Sequence, residues 1–414
     1  MANTLATPTW VTKEIARRFL NNLKFAATGN CNREYDDQYM QAGAKVGYTV
    51  NARLPQRWEV TKGQALVVQS ITDQTLPISL TDQANIGLSY STADQTMIIQ
   101  DVRERYINPA ADQLANTVDY DGLQRCYKDV YNTKGTLGTT PATNLIYLQT
   151  VAALANAGAP TNNLRGLLDP NAMVTLVNAN AALFNNQPQI SAQYKSGQFA
   201  GETLGIEKWF QDANYARHTT GTFTAATPLV NGANQTGSTI NINGWASSAT
   251  TLKRGDTFMI ANVFEVNQLS RASTGRLQTF VITADTSDVT GTTATLPISP
   301  PIITSGQLQT VNSVPASGAA VLVTGATAAV GGTLATTISP QELVYDPSAF
   351  VLVMADLMQP DAGAKSTTVR SKELGISIRM VTQYQIGTDQ QPSRLDILYG
   401  WATLRPGFAY RIYS

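Results

Sequence analysis

Apolar residues recur at steps of four between Trp10 and Phe25, at Val11, Ile15, Phe19 and Leu23, and mark one face of a helix. Lys13, Arg17, Arg18 and Lys24 fall largely off that stripe, so the segment predicts a short helix docked on a neighbouring surface. A membrane-surface helix would be longer and more basic. The period then shortens. Val46–Leu54 alternates, Ala65–Ile71 and Thr75–Leu80 add two β-like runs, and the polar Pro55-Gln-Arg-Trp-Glu interrupts them. Lys45–Tyr90 therefore reads as a long hairpin or extended loop. Its backbone edges suit pairing with another subunit, or they form an ordinary sheet edge within one molecule.

The strongest helical signal follows. Thr92, with Gln95 three residues on, forms a capping box ahead of Met97, Ile98, Val102 and Tyr106. Asn108-Pro109 restarts the helix with proline at an N1-like position. Leu114, Val118, Cys126, Val130 and Tyr131 carry its apolar face to about Asn132. Asn144–Gly158 predicts an alanine-rich helix, and Asp169-Pro170 opens another through Met173, Leu176 and Val177. Gly201–Phe210 reads as a turn followed by a short strand or helix. Glu342–Val344, Phe350–Met354 and Gly375–Tyr384 are strand-like, and Leu395–Leu404 and Phe408–Tyr413 form a closing pair around Arg405-Pro406-Gly407. No repeat of solenoid length recurs.

Between His218 and Pro340 the chain changes character. Thr, Ser, Gly, Ala, Val and Asn dominate, and the only charges are Lys253, Arg254, Asp256, Glu265, Arg271, Arg276, Asp285 and Asp288. β-Branched runs recur at Ser238–Ile242, Thr257–Val263, Gln278–Ile282, Thr293–Ile298 and Ala320–Val323. Turn clusters at Gly244, Arg254-Gly255-Asp256, Thr274-Gly275 and Pro300-Pro301 separate them, as in a small barrel or sandwich. An all-β domain inserted into a mixed host accounts for this, because insertion at an exposed loop is tolerated when a domain's termini lie close together.

Composition narrows the function. A chain of 414 residues favours two or more cores. Lys+Arg and Asp+Glu are both 29, so the basic excess of a protein that grips nucleic acid is missing. No apolar run approaches a membrane span. The first residues lack a charged region followed by an apolar core, so no signal peptide is expected. Cys31 and Cys126 make no disulfide framework and suit a reducing cytosol.

Catalysis lacks parts. The sole histidine, His218, stands beside Arg217 and two threonines and reads as a linker or surface residue. No nucleophile elbow, zinc signature, phosphate loop or dinucleotide fingerprint can be written, so no catalytic, cofactor or metal residue is expected. Asp36-Asp37 and Asp119-x-Asp121 read as solvated or capping carboxylates. Asn234-Gln-Thr236 matches a glycosylation sequon by chance.

Four segments, in order along the chain, carry a resemblance. Ala110–Asp121 (AADQLANTVDYD) is similar to the spine helix of tailed-bacteriophage major coat proteins, and Arg165–Leu176 (RGLLDPNAMVTL) to the domain that follows it. Leu252–Asn267 (LKRGDTFMIANVFEVN) resembles the inserted β-domain of the short-tailed-phage subgroup, and Glu373–Ile412 the family's closing strands with their late YG…RP turn. The resemblance implies an α+β chain with the Hong Kong 97 phage-type capsid fold and an inserted all-β barrel. On it, the chain divides into an N-terminal arm (1–44), an extended loop (45–90), a peripheral domain with spine helix (91–140), a first part of the axial domain (141–218), the insert (219–340), and an axial return with peripheral closing strands (341–414). Two departures stand out: residues 219–250 carry no charge, and no long, charged, helical extension precedes the arm.

The implied function is that of a major capsid protein, made in the host cytoplasm and residing in the virion. It would assemble with itself into hexamers and pentamers of an icosahedral shell. A separate scaffolding protein and a portal are expected, a decoration protein is a further partner, and double-stranded DNA would be enclosed without sequence-specific binding or any membrane contact. No cofactor enters. Trp10, Arg17 and Arg18 on the arm and Arg53, Arg57 and Trp58 on the loop are the expected assembly anchors, because Trp and Arg dominate interface hot spots. The rival readings are an encapsulin-like cellular compartment shell, which usually lacks the insert, and a β-rich surface-binding module, which would need export.

Overall fold

The computed structural model describes residues 23–34 except 28, then 49–58, 60, 62–64, 68–69, 74–91, 108–179, 203–245, 250–286, 293–327, 332–360, 363–371 and 376–414. The capping box at Thr92, the arm helix before Leu23 and the pair Asp36-Asp37 lie outside these residues. The chain folds as two compact units, the first formed by Met1–Leu54, Gln74–Gly122 and Phe350–Leu404 and the second by the remainder. The extended-loop tip, Pro55–Asp73, and the insert both fall in the second unit.

The first unit is built on one mixed sheet. Strand Gln390–Thr403 pairs antiparallel with three partners, Asp82–Ser91, Phe350–Ala355 and Ile376–Thr382. Asn32–Glu34 joins parallel beside Phe350–Ala355, and Lys365–Ser371 pairs with Ile376–Thr382 at the other edge. Phe350–Ala355 is buried throughout, as a continuous apolar run covered on both faces must be. Phe25 stacks on Trp401 with ring centroids 5.0 Å apart. Helix α1, Asn108–Cys126, begins with proline at its second residue, as the sequence predicted. It buries Ala111, Leu114, Ala115 and Val118, and the Trp401 indole donates to the Val118 carbonyl at 3.2 Å. Gly122 is what permits this approach, since a Cβ there would come within 2.5 Å of the Trp401 ring.

Asp119 is not solvated, and Asp121 is half-buried. Asp119 is buried and accepts from the backbone N–H groups of Lys24 (2.6 Å) and Ala26 (2.8 Å). Asp121 accepts from the Tyr399 hydroxyl. The Asp119 carboxylate exchanges water for fixed donors, which is why it can face inward. Burial also pushes the Cys31 thiol up to about 12.

The second unit has a host sheet and the insert. Ile338–Tyr345 lies centrally, paired with Ala409–Tyr413 on one side and with Arg165–Leu168 and Ala216–Thr219 on the other. Thr133–Gly135 and Lys208–Gln211 extend the two edges in parallel. Helix α2, Leu145–Ala157, ends at Gly158 with φ +81°, a left-handed cap that glycine reaches without steric cost. Helix α3, Pro170–Ala179, opens at proline. Tyr147, Leu154, Met173, Leu176, Trp209, Val344 and Ile412 pack into one core between helices and sheet.

The insert is all-β, as its composition predicted. Six strands run in the order Leu229–Val230, Gly237–Asn243, Thr293–Ile302, Ser273–Ile282, Thr257–Val266 and Val321–Val323, and Phe223–Ala226 pairs separately with Gly332–Leu334. Its own core gathers Trp245, Phe258, Ile260, Phe280, Leu296 and Ile298. Two expected turns are strand instead. Pro300-Pro301 lies inside Thr293–Ile302, where the partner Gly237–Asn243 shifts register between Gly237 and Thr239, so the missing proline N–H groups break no regular ladder. Thr274-Gly275 lies inside Ser273–Ile282, opposite a register shift between Phe264 and Val266.

Candidate assembly interface

The extended loop starts as a true hairpin. Thr49–Leu54 pairs antiparallel with Gln74–Ser79, with Arg53 opposite Thr75. Period-two alternation turns Ala52 and Ile78 inward onto Leu80, Val351 and Val353, while Asn51, Arg53, Thr75 and Pro77 face solvent. Arg53 is therefore exposed, on the outer face. Of the run Ala65–Ile71, Val68 and Gln69 are described and lie outside any strand.

The tip belongs with the second unit. Gln56 Nε2 donates to Gln307 Oε1 at 3.0 Å, and Gln307 Nε2 donates on to Gln69 Oε1 at 3.0 Å, so one insert glutamine ties both limbs of the tip. Trp58 is left 56% exposed, with Val60 at 88% and Val68 at 83%. Three apolar side chains on so short a segment lose their hydration cost only against a partner. Arg57 is half-buried. Burial lowers its pKa, as do Arg271 and Arg405, while Tyr131 opposes them.

The loop anchors are thus separated. Arg53 lies in the first unit and Arg57 and Trp58 in the second, while Trp10, Arg17 and Arg18 lie outside the described residues. Sequence reasoning missed Gln307, which meets the loop tip across hundreds of intervening residues and carries no local signal.

The insert is fastened to its host by buried polar groups. His218, on host strand Ala216–Thr219, is only 3% exposed, so the surface reading of this residue is corrected. Its Nε2 lies 2.8 Å from Asp256 Oδ1, and Nδ1 faces the Tyr127 hydroxyl at 3.2 Å. Asp256 Oδ2 also accepts the backbone N–H groups of Lys253 (2.8 Å) and Gly221 (3.0 Å). The Lys-Arg-Gly-Asp turn is thereby closed by its own carboxylate and locked to the host. The fully buried Arg411 donates to the Gly255 carbonyl at 2.8 Å, and Thr257 Oγ1 meets the Tyr413 hydroxyl at 2.7 Å.

The model of the family described as P22 coat protein, gene protein 5, matches residues 64–409. Among solved structures, a Mycobacterium phage Che8 chain is 12% identical, covers 95% of this chain and 90% of its own length, and superposes with a TM-score of 0.43. The capsid of cyanophage P-SCSP1u is also 12% identical, with 92% and 86% covered and a TM-score of 0.42. The CUS-3 coat protein I-domain is 24% identical over 25% of this chain and 97% of its own, with a TM-score of 0.19. Among curated proteins, none matches the chain.

Proposed function

The chain belongs to the P22 coat protein family and is a major capsid protein of the tailed-phage kind, and from that premise we propose how its parts build the shell. Residues 1–44 serve as an arm, 45–90 as an extended loop, 91–140 as a peripheral domain around α1, 141–218 and 341–414 as an axial domain with its closing strands, and 219–340 as an inserted domain. Copies join through repeated heterologous contacts that close by symmetry into pentamers and hexamers of an icosahedral shell around double-stranded DNA. A separate scaffolding protein and a portal act in assembly, a decoration protein is a further partner, and the chain performs no catalysis. Synthesis takes place in the host cytoplasm.

One observation carries the contact mechanism: Trp58, Val60 and Val68 stand exposed on a tip held in place by the Gln56–Gln307–Gln69 chain of hydrogen bonds. A pre-ordered apolar tip spends little entropy when a neighbour covers it. Arg53 reinforces the same contact from the outer face of the hairpin, and Trp10, Arg17 and Arg18 do so on the arm. Truncating a buried interface tryptophan costs about 2–4 kcal/mol per contact. Trp58→Ala should leave the unassembled chain with wild-type unfolding and sharply reduce shell formation measured by light scattering. Shells at the wild-type yield would remove Trp58 from the interface.

A further inference from the structure

Within the second unit, a cleft of about 430 Å³ opens between host strand Thr133–Gly135 and insert strands Thr257–Val266 and Ser273–Ile282. Its volume falls in the range of small-molecule sites. The two walls differ in chemistry. Alternation along the insert strands turns Phe258, Ile260 and Phe280 into the insert's own core and leaves Met259, Leu277 and Thr279 facing the cleft. Met259 and Leu277 are half-buried and stand outside that core, so they form an apolar wall. The host wall carries Lys134, whose strand runs parallel to Ala409–Tyr413 with Lys134 opposite Ile412.

Charge in the cleft is unbalanced. Lys134, Arg276 and Glu265 all line it. Glu265 is already engaged: its Oε2 accepts from Arg276 Nη2 at 2.6 Å and from the Thr274 hydroxyl at 3.3 Å. The same Arg276 nitrogen donates to the Ala153 carbonyl at 3.2 Å. Lys134 is half-buried, and among the described residues nothing accepts from its ammonium or pairs with it. Burial and the Arg276 charge lower its pKa while Glu265 opposes them, so the ammonium lies in the field of both groups. Two cations thus face one carboxylate, and the unpaired one holds its N–H donors beside an apolar wall. A partly desolvated ammonium without an acceptor is destabilising, and an oxyanion that receives those donors removes the penalty.

We infer that this cleft binds a small organic anion, with its oxyanionic group on Lys134 and its apolar body against Met259 and Leu277. Charge selects a monoanion, because the surplus in the cleft is one positive charge. Volume selects a body beyond the oxyanion itself, since a lone inorganic ion leaves the apolar wall wet. The bound anion touches host and insert together, and by mass action it stabilises the fold that holds them side by side.

Benzoate is the probe, with benzamide as its uncharged isostere and acetate as the charge without a body. Binding is followed on the unassembled full-length chain through the isotope-labelled methyl of Met259, assigned with Met259→Leu. Wild type should show saturable benzoate shifts at that methyl, and benzamide and acetate should each bind about tenfold or more weakly. Lys134→Met keeps the stem, removes the charge and should weaken benzoate about tenfold or more. Lys134→Arg should retain binding. Both variants should unfold as wild type does, because Lys134 is half-buried on an edge strand. No saturable shift at Met259 in wild type overturns the site. Equal benzoate affinity in wild type and Lys134→Met overturns the oxyanion receptor. Benzamide binding as tightly as benzoate reduces the cleft to an apolar slot and rejects the anion, and acetate binding as tightly rejects the apolar body. If Lys134→Met loses the wild-type melt, the benzoate–benzamide comparison on the wild-type chain decides alone.

Discussion

Glu342 is fully buried in the host sheet of the second unit, where the Tyr147 hydroxyl donates to its Oε2 at 2.6 Å. Burial pushes its pKa from about 4.5 up to about 8, the nearby Asp169 adds to the rise, and the Tyr147 and Ser414 hydrogen bonds oppose it. The folded carboxyl therefore keeps its proton between pH 4.5 and 8 while the unfolded chain releases it. Stability from this group is fully present below about 4.5 and is lost as pH rises through 8. Carried in full, the difference is worth about 5 kcal/mol. Water entry and local relaxation reduce it to about 2–3 kcal/mol. Glu342→Gln keeps a carbonyl to accept from Tyr147 and cannot ionise. Its stability relative to wild type should rise from pH 5 to about pH 8 and level off above it, by an amount that moves the thermal midpoint of a chain this long by roughly 2–4 °C. The assay is urea or thermal unfolding of the unassembled chain across that range. The difference in slope carries the test, because a poor fit of the amide would shift every pH alike. A wild-type-to-variant gap that stays constant from pH 5 to 9 would refute the reasoning.

Three further outcomes are expected. Gly122→Ala drives a methyl into the Trp401 ring and should lower stability by about 1–3 kcal/mol, with a change in tryptophan fluorescence; an unchanged denaturation midpoint would contradict that packing. Asp256→Ala leaves three donors unpartnered, at His218, Gly221 and Lys253, and should cost about 3 kcal/mol or more. Hydrogen exchange at Gly221 and Lys253 should speed up before the rest of the insert, and uniform exchange would argue that the clamp is dispensable. Cys31, with its thiol pushed up to about 12, should resist a thiolate-selective reagent in the native chain and react at once in denaturant; rapid native labelling would show that this burial is wrong.

Local chemistry was legible wherever a residue's role is set by its chain neighbours. Asn108-Pro109, Gly158 and Asp169-Pro170 mark helix ends because a missing N–H or a left-handed φ acts within one turn. The insert showed itself through β-branched runs that its own core absorbs. The ten-residue strand Asp82–Ser91 went unrecognised inside the loop, since small residues and Gly87 dilute its alternation. His218 was misjudged from its polar neighbours. The signal lay in strand alternation, with Ala216 and His218 turned inward and Arg217 outward. The proposed assembly surface has only a partial local signal. Trp58 is exposed, and the tie of Gln56 and Gln69 to Gln307 depends on tertiary closure between segments far apart in sequence.

The central claim is that this chain is a shell-building coat protein, and the most direct measurement is electron microscopy with light scattering of the purified protein, expressed with and without the neighbouring phage genes. The account predicts closed, uniform particles of megadalton mass in the co-expressed sample. A folded chain that stays monomeric in both samples would contradict it.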